Sequence, residues 1–150
     1  MSATQTLQEN KHIVRKIYED CINRGAIELL PELVSDDYVG VRGERGAAAF
    51  ANNLTSLRNG FPDIRFTIED LIAEGDRVAV RWSWQGTHTG VFNGLPACQK
   101  HVTNDGIVIY QLQDHKIVRT WIQTDRLGVL QEIGVVPKDL GGGPQSKDKE

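Results

Sequence analysis

Residues 77–90 read RVAVRWSWQGTHTG, and their alternation decides the fold class. Val78, Val80, Trp82 and Trp84 fall two residues apart, with Arg77, Arg81, Ser83 and Gln85 in the intervening positions. Successive side chains of a strand point to opposite faces, so this run predicts a long half-buried strand, aromatic on one side and polar on the other. Upstream, Ile64, Phe66 and Ile68 keep the same period, and Glu74-Gly75-Asp76 makes a turn between the two runs. Downstream, a loop at 91–100 (VFNGLPACQK) leads to HVTNDGIVIYQLQ at 101–113, a tight turn at Asp114-His115, and KIVRTWIQTD at 116–125. Short turns between long strands predict an antiparallel sheet.

The first sixty residues have a different texture. Ile13, Val14, Ile17, Tyr18, Cys21 and Ile22 recur at helical spacing, and Gly25 follows as a stop. A short helix fits PELV at 31–34, a short strand or extended arm fits DDYVGVRG at 36–43, and a third helix covers about Glu44 to Asn59. RLGVLQEIG at 126–134 adds a C-terminal helix. Helices first and a long meander after them give an α+β plan, with helices packed on one face of a sheet that curls around a cavity. One domain over residues 10–136 is expected, between a flexible N-terminus at 1–9 and a flexible C-terminal tail at 137–150.

The 150 residues are 39% hydrophobic and 25% charged, with a net charge of −3, and they show no basic stripe for nucleic acid. No apolar run approaches the ~20 residues that cross a bilayer, and residues 1–12 lack the apolar segment of a secretory signal, so a cytoplasmic protein is expected. Cys21 and Cys98 read as unpaired thiols, although two cysteines leave a disulfide open. His12, His88, His101 and His115 have no metal-ligand spacing, so no metal is expected.

Four segments in this order, FPDIRFTIEDLIAEGDRVAVRW, GTHTGVFNGLP, DHKIVRTW and DRLGVLQEIG, resemble the SnoaL-like polyketide cyclase or ester cyclase family. The resemblance covers about residues 10–135 and implies the cone-shaped nuclear transport factor 2-like fold. It also implies ring closure in a polyketide ester by intramolecular aldol condensation, without cofactor, in antibiotic biosynthesis. An aspartate at the end of the last strand is the acid/base in that family, and Asp125 holds that position here. Some relatives are hydroxylases instead. This chain departs from the family pattern in three places. It has Asp114-His115-Lys116 for Asp-Gly-Lys, Arg119-Thr120 for Glu-His, and PACQK for Pro-Thr-Gly-Arg.

Each candidate residue has two readings. Trp121, Gln123 and Asp125 share a strand face, so Asp125 is either a desolvated base or the N-cap of the helix that follows. His88 either joins Asp125 or a substrate carbonyl, or is a structural histidine at a strand end; a bulge at Gly86 would reverse its facing. Trp82, Trp84 and Trp121 are core residues or a flat wall for a polycyclic substrate. Asn104, Tyr110 and Gln123 hold enolate oxygens, or Asn104 and Tyr110 are polar groups paired near the sheet edge. The Arg77, Arg81, Ser83 and Gln85 face is a homodimer interface or simply solvated. A ligand-binding module without chemistry, or a hydrolase or hydroxylase in the same pocket, are the alternatives to a cyclase. The expected partner is a small apolar or polycyclic molecule.

Overall fold

A computed structural model describes residues 2–139. Helix α1 (Ala3–Lys16) continues through a π-helical segment, Ile17–Ile22, and a 3-10 turn at Ile27–Leu29 leads into α2 (Leu30–Leu33). Strand β1 (Val34–Val39), α3 (Gly46–Gly60), β2 (Arg65–Glu74), β3 (Arg77–Thr87), β4 (His101–Gln113), β5 (Lys116–Thr124) and α4 (Arg126–Glu132) follow. Residues 3–9, expected to be a flexible lead, are the first two turns of α1. Ser2 explains this: its hydroxyl accepts from Gln5 N at 3.1 Å while Gln5 Oε1 accepts from Ser2 N at 3.0 Å, a reciprocal cap. Of the tail expected at 137–150, residues 140–150 lie outside the described residues.

The sheet order is β1-β5-β4-β3-β2. The four long strands pair antiparallel, β2–β3 and β4–β5 across tight turns and β3–β4 across the loop at 88–100, but β1 pairs parallel with β5. The sheet is therefore mixed rather than antiparallel throughout. The parallel pair is possible because β1 and β5 are far apart in sequence, with α3 and three strands between them.

Trp82 and Trp84 point inward with Val78 and Val80, against the buried side of the N-terminal helix at Val14, Ile17, Tyr18, Cys21 and Ile22. Trp82 lies opposite Ile68 on one side and Gly106 on the other. A Cβ at position 106 would come within 2.7 Å of the Trp82 ring, so the glycine creates the space that the indole fills. Asn23 ties the helix to the sheet edge, donating from Nδ2 to Phe66 O at 2.9 Å and accepting from Phe66 N at 2.7 Å. These contacts hold the helices over one face of the curved sheet and leave a cavity between the two layers.

Candidate active site in the cone

The cavity measures about 490 Å³. Tyr18, Phe66, Trp82, Trp84 and Tyr110 line its floor, and Arg42, Glu44, Asn53 and Arg126 are among its polar lining residues. Three polar pairs face this apolar space. The Tyr18 and Tyr110 hydroxyls share a short hydrogen bond. Tyr38 Oη and Thr120 Oγ1 lie 2.8 Å apart, and Asn104 Nδ2 donates to Thr124 Oγ1 at 3.3 Å. The buried Trp82 indole N–H makes no hydrogen bond of ordinary geometry among the described residues, although it lies close enough to the Tyr18 hydroxyl to act on it.

Tyr18 owes its position to the π segment, where Asn23 N bonds to Tyr18 O at 2.9 Å, one residue beyond α-helical spacing. Its ring packs against Phe66, Trp82 and Tyr110, at 5.4, 6.5 and 6.3 Å between centroids. Helical spacing alone puts Tyr18 in an apolar stripe. A hydroxyl on a fully buried stripe needs a partner, and that was the available signal.

Burial pushes the Tyr18 hydroxyl well above the ordinary phenol range, against smaller opposing effects of Tyr110 and Trp82. Burial does the same to Tyr110, with Tyr18 adding to the shift. Both groups are therefore neutral hydrogen-bond donors at physiological pH. In the unfolded chain they lose their protons near pH 10, while the folded chain keeps them. Stability is thus fully present below pH 10 and falls as pH rises, by about 1.4 kcal/mol per pH unit for each tyrosine. The Cys21 thiol, pushed up to about 11 chiefly by burial, acts in the same direction from pH 9. Urea unfolding at pH 8, 10 and 11 is expected to show this decline, with a shallower slope in Tyr18→Phe.

Several expected site residues lie elsewhere. Tyr110, Val108 and Gly106 on β4 are directly opposite Thr120, Ile122 and Thr124 on β5, and directly opposed residues share a face. Thr120, Ile122 and Thr124 therefore line the cavity. Trp121, Gln123 and Asp125 do share a face, but it is the outer one. Trp121 is 36% exposed, with the Arg77 and Arg119 guanidinium carbons 4.8 and 5.2 Å from its ring centroid. The Asp125 side chain is exposed and caps α4, with Oδ1 accepting from Gly128 N at 2.8 Å. Gly128 is needed there, because a Cβ would come within 2.1 Å of Asp125 Oδ2.

His88 is turned inward, because the ladder runs through Gly86↔Val102 and Thr87↔His101 without the bulge considered at Gly86. It is 1% exposed but does not line the cavity. Its ring stacks on Phe61 at 5.2 Å, and Phe61 packs in turn on Trp84 and Phe92, which do line it. Of the expected residues, the cavity brings together Trp82, Trp84, Asn104 and Tyr110. Among its described lining residues the one carboxylate is Glu44. Hydrogen bonds from its own and the Arg42 backbone N–H, joined by Asn53, hold the Glu44 carboxyl below the ordinary range. That makes it a poor base. Among the described residues no group of three His, Cys, Asp or Glu is placed to hold a metal ion, and no helix is long and apolar enough to cross a membrane.

A family model for SnoaL-like polyketide cyclase matches residues 12–133, most of the chain, from the last part of α1 through α4. The chain belongs to this family. Its fold is the cone-shaped nuclear transport factor 2-like one expected from the sequence. A SnoaL-like polyketide cyclase from Agrobacterium tumefaciens is 26% identical, with a TM-score of 0.72 over 83% of this chain and 98% of the other. TsrD from Streptomyces laurentii is similar in fold at 22% identity, with a TM-score of 0.78 over 91% of this chain and 100% of that one. AclR from Streptomyces galilaeus, provisionally described as a hydroxylase, is 23% identical with a TM-score of 0.78, over 93% of this chain and 87% of its own. No protein with a curated description matches the chain.

Proposed function

We propose that this family member closes a ring in a polyketide-derived ester by intramolecular aldol condensation within the cone, in the cytoplasm and without a cofactor. The observation that carries this reading is the buried Trp82 N–H, without a hydrogen bond of ordinary geometry, beside the buried Tyr18–Tyr110 pair. An N–H buried without a partner costs free energy that a bound carbonyl oxygen recovers. In the reaction a base removes a proton from a carbon flanked by carbonyls. The enolate carbon then forms a C–C bond to a second carbonyl carbon, whose oxygen takes up a proton. Negative charge gathers on oxygen twice, and neutral donors fixed in an apolar space stabilise it there. The aromatic floor holds the chain folded, and such alignment contributes up to ~7–11 kcal/mol. Asp125 is the proposed base; to act, its carboxylate leaves the Gly128 amide and turns past Thr124 towards the cavity.

A second reading is a binding module that holds a planar molecule without chemistry. The capping role and exposure of Asp125 favour it. A set of aromatic polyketide methyl esters separates the two. Ring closure by aldol addition gives a product of unchanged mass and altered retention, and binding quenches tryptophan fluorescence. Quenching with product supports the cyclase. Quenching alone across the set supports the binding module, and neither signal removes both readings.

We also propose that the outer sheet face pairs two copies. Arg81 donates to Asp70 at 2.6 Å and Ser83 to Glu69 at 2.8 Å, so polar groups on that face have partners within the chain. Beside them Ile72, Ala79, Ile109 and Trp121 form a row across four strands, with Ile72 64% and Ile109 37% exposed. Ile109→Glu is expected to convert a dimer into a monomer in sedimentation velocity. A wild-type monomer at 100 μM removes the pairing.

A further inference from the structure

The chain's two free thiols occupy opposite environments. Cys21 is fully buried in the helix stripe. Cys98 is only partly buried, in the segment between β3 and β4, and its Sγ lies 3.2 Å from His88 Nδ1. Backbone geometry sets this contact. His88 N donates to Lys100 O, and Gln99 N donates to His88 O, both at 2.9 Å, so two residues oppose one at the end of the ladder. Gln99 has φ 63°, in the left-handed region. This bulge re-aims the preceding residue, and Cys98 is the one it turns onto the imidazole.

His88 has the second unusual feature. It is 1% exposed, stacked on Phe61 with 26° between the planes, and its Nε2 is buried with no partner among the described residues. Among the described residues the Cys98 sulfur is the one polar side-chain atom hydrogen-bonded to this ring. A histidine kept merely for packing would carry an unmet desolvation cost that an apolar residue avoids. Of the charged and titratable groups nearby, Asp63 accepts from Thr87 N at 2.7 Å and Thr87 Oγ1 at 2.9 Å, His101 Nε2 lies 3.2 Å from Gln85 Oε1, and the Lys100 ammonium lies against Gly134. A nucleophile and a base within hydrogen-bond reach, the base held by packing, is the arrangement that activates a thiol.

We propose that Cys98 and His88 form a nucleophilic pair, a covalent modification site for α,β-unsaturated carbonyl compounds, distinct from the cone cavity. With the ring proton on Nε2, Nδ1 takes the thiol proton as sulfur adds to the β-carbon. The C=C electron pair moves onto the α-carbon through the enolate, and the α-carbon then receives the proton. The product is a thioether, with no change of oxidation state and no further reactant. Phe61 and the wall residue Phe92 stand between His88 and the cavity. The electrophile therefore approaches Cys98 from the exposed side of the loop, and a ligand in the cone leaves the site free.

N-Ethylmaleimide, itself an α,β-unsaturated carbonyl, is the probe, followed by intact-protein mass spectrometry on the native chain with N-acetylcysteine as reference. One adduct is expected, absent in Cys98→Ser, forming at pH 7 at least about tenfold faster than on the free thiol. Between pH 7 and 8 its rate should change by less than about threefold, where an unassisted thiol gains nearly tenfold. His88→Gln is expected to restore the steep pH dependence and the slower rate. A wild-type rate at or below that of N-acetylcysteine with the full pH slope overturns the pair, as does labelling at Cys21. Should His88→Gln unfold, the wild-type pH profile decides on its own.

Discussion

Trp82→Phe is expected to lower the turnover of a ring-closing substrate about 10²- to 10³-fold, the effect of removing one donor from an oxyanion-stabilising group. The case rests on what that exchange changes. Phenylalanine keeps an aromatic ring at the position opposite Gly106 and removes a buried N–H, beside the Tyr18 hydroxyl, that lacks a hydrogen bond of ordinary geometry. If the N–H binds the developing oxyanion, kcat falls while KM stays close to wild type, because the contact strengthens only in the transition state. If the indole serves packing, the loss appears in the melting temperature instead, from the void left beside Gly106. Trp84→Phe is the control. It makes the same exchange on the same inner face, and kcat should stay within a few-fold of wild type. Equal losses in the two variants would assign both tryptophans to the wall. Tyr110→Phe belongs in the same series: it removes one hydroxyl of the buried pair and leaves Tyr18 without its partner.

Much of this site could be read from one strand. The two-residue period from Val78 to Trp84 puts both tryptophans on one face with the valines, and the same period puts Asn104 with Tyr110 on β4. Period alone says which residues share a face, not which face that is. For β5 the answer comes from register against β4: Thr120 opposes inward-facing Tyr110, so Trp121, Gln123 and Asp125 are carried outward. A shift of one residue would have reversed that assignment. Tyr18 was legible as a buried residue but not as a hydroxyl donor, because its partner lies 92 positions away on another element. The parallel β1–β5 pair and the His88–Cys98 contact, the latter only 10 positions apart, were hidden too. Both depend on contacts that no local pattern encodes, one across nearly the whole domain and the other through a left-handed residue in a loop.

The second large effect concerns Asp125, where capping and chemistry compete for the same oxygens. Asparagine caps a helix as well as aspartate does, so Asp125→Asn keeps the bond from Gly128 N and removes only the basicity. A ring-closing enzyme that uses this carboxylate should lose about 10²- to 10⁴-fold in kcat, with unfolding unchanged within about 0.5 kcal/mol. Asp125→Ala removes the cap as well and should cost about 1 kcal/mol of stability on top of the same kinetic loss. The pair of variants thus separates the two roles: the kinetic loss is common to both, and the stability loss belongs to alanine alone. Full activity in the asparagine variant would make the cap the whole function of Asp125. Among the described residues, the one carboxylate left facing the cone would then be Glu44, whose hydrogen bonds already hold its charge in place. Under that outcome a cavity of neutral donors around an aromatic floor fits a protein that grips a carbonyl compound better than one that deprotonates it.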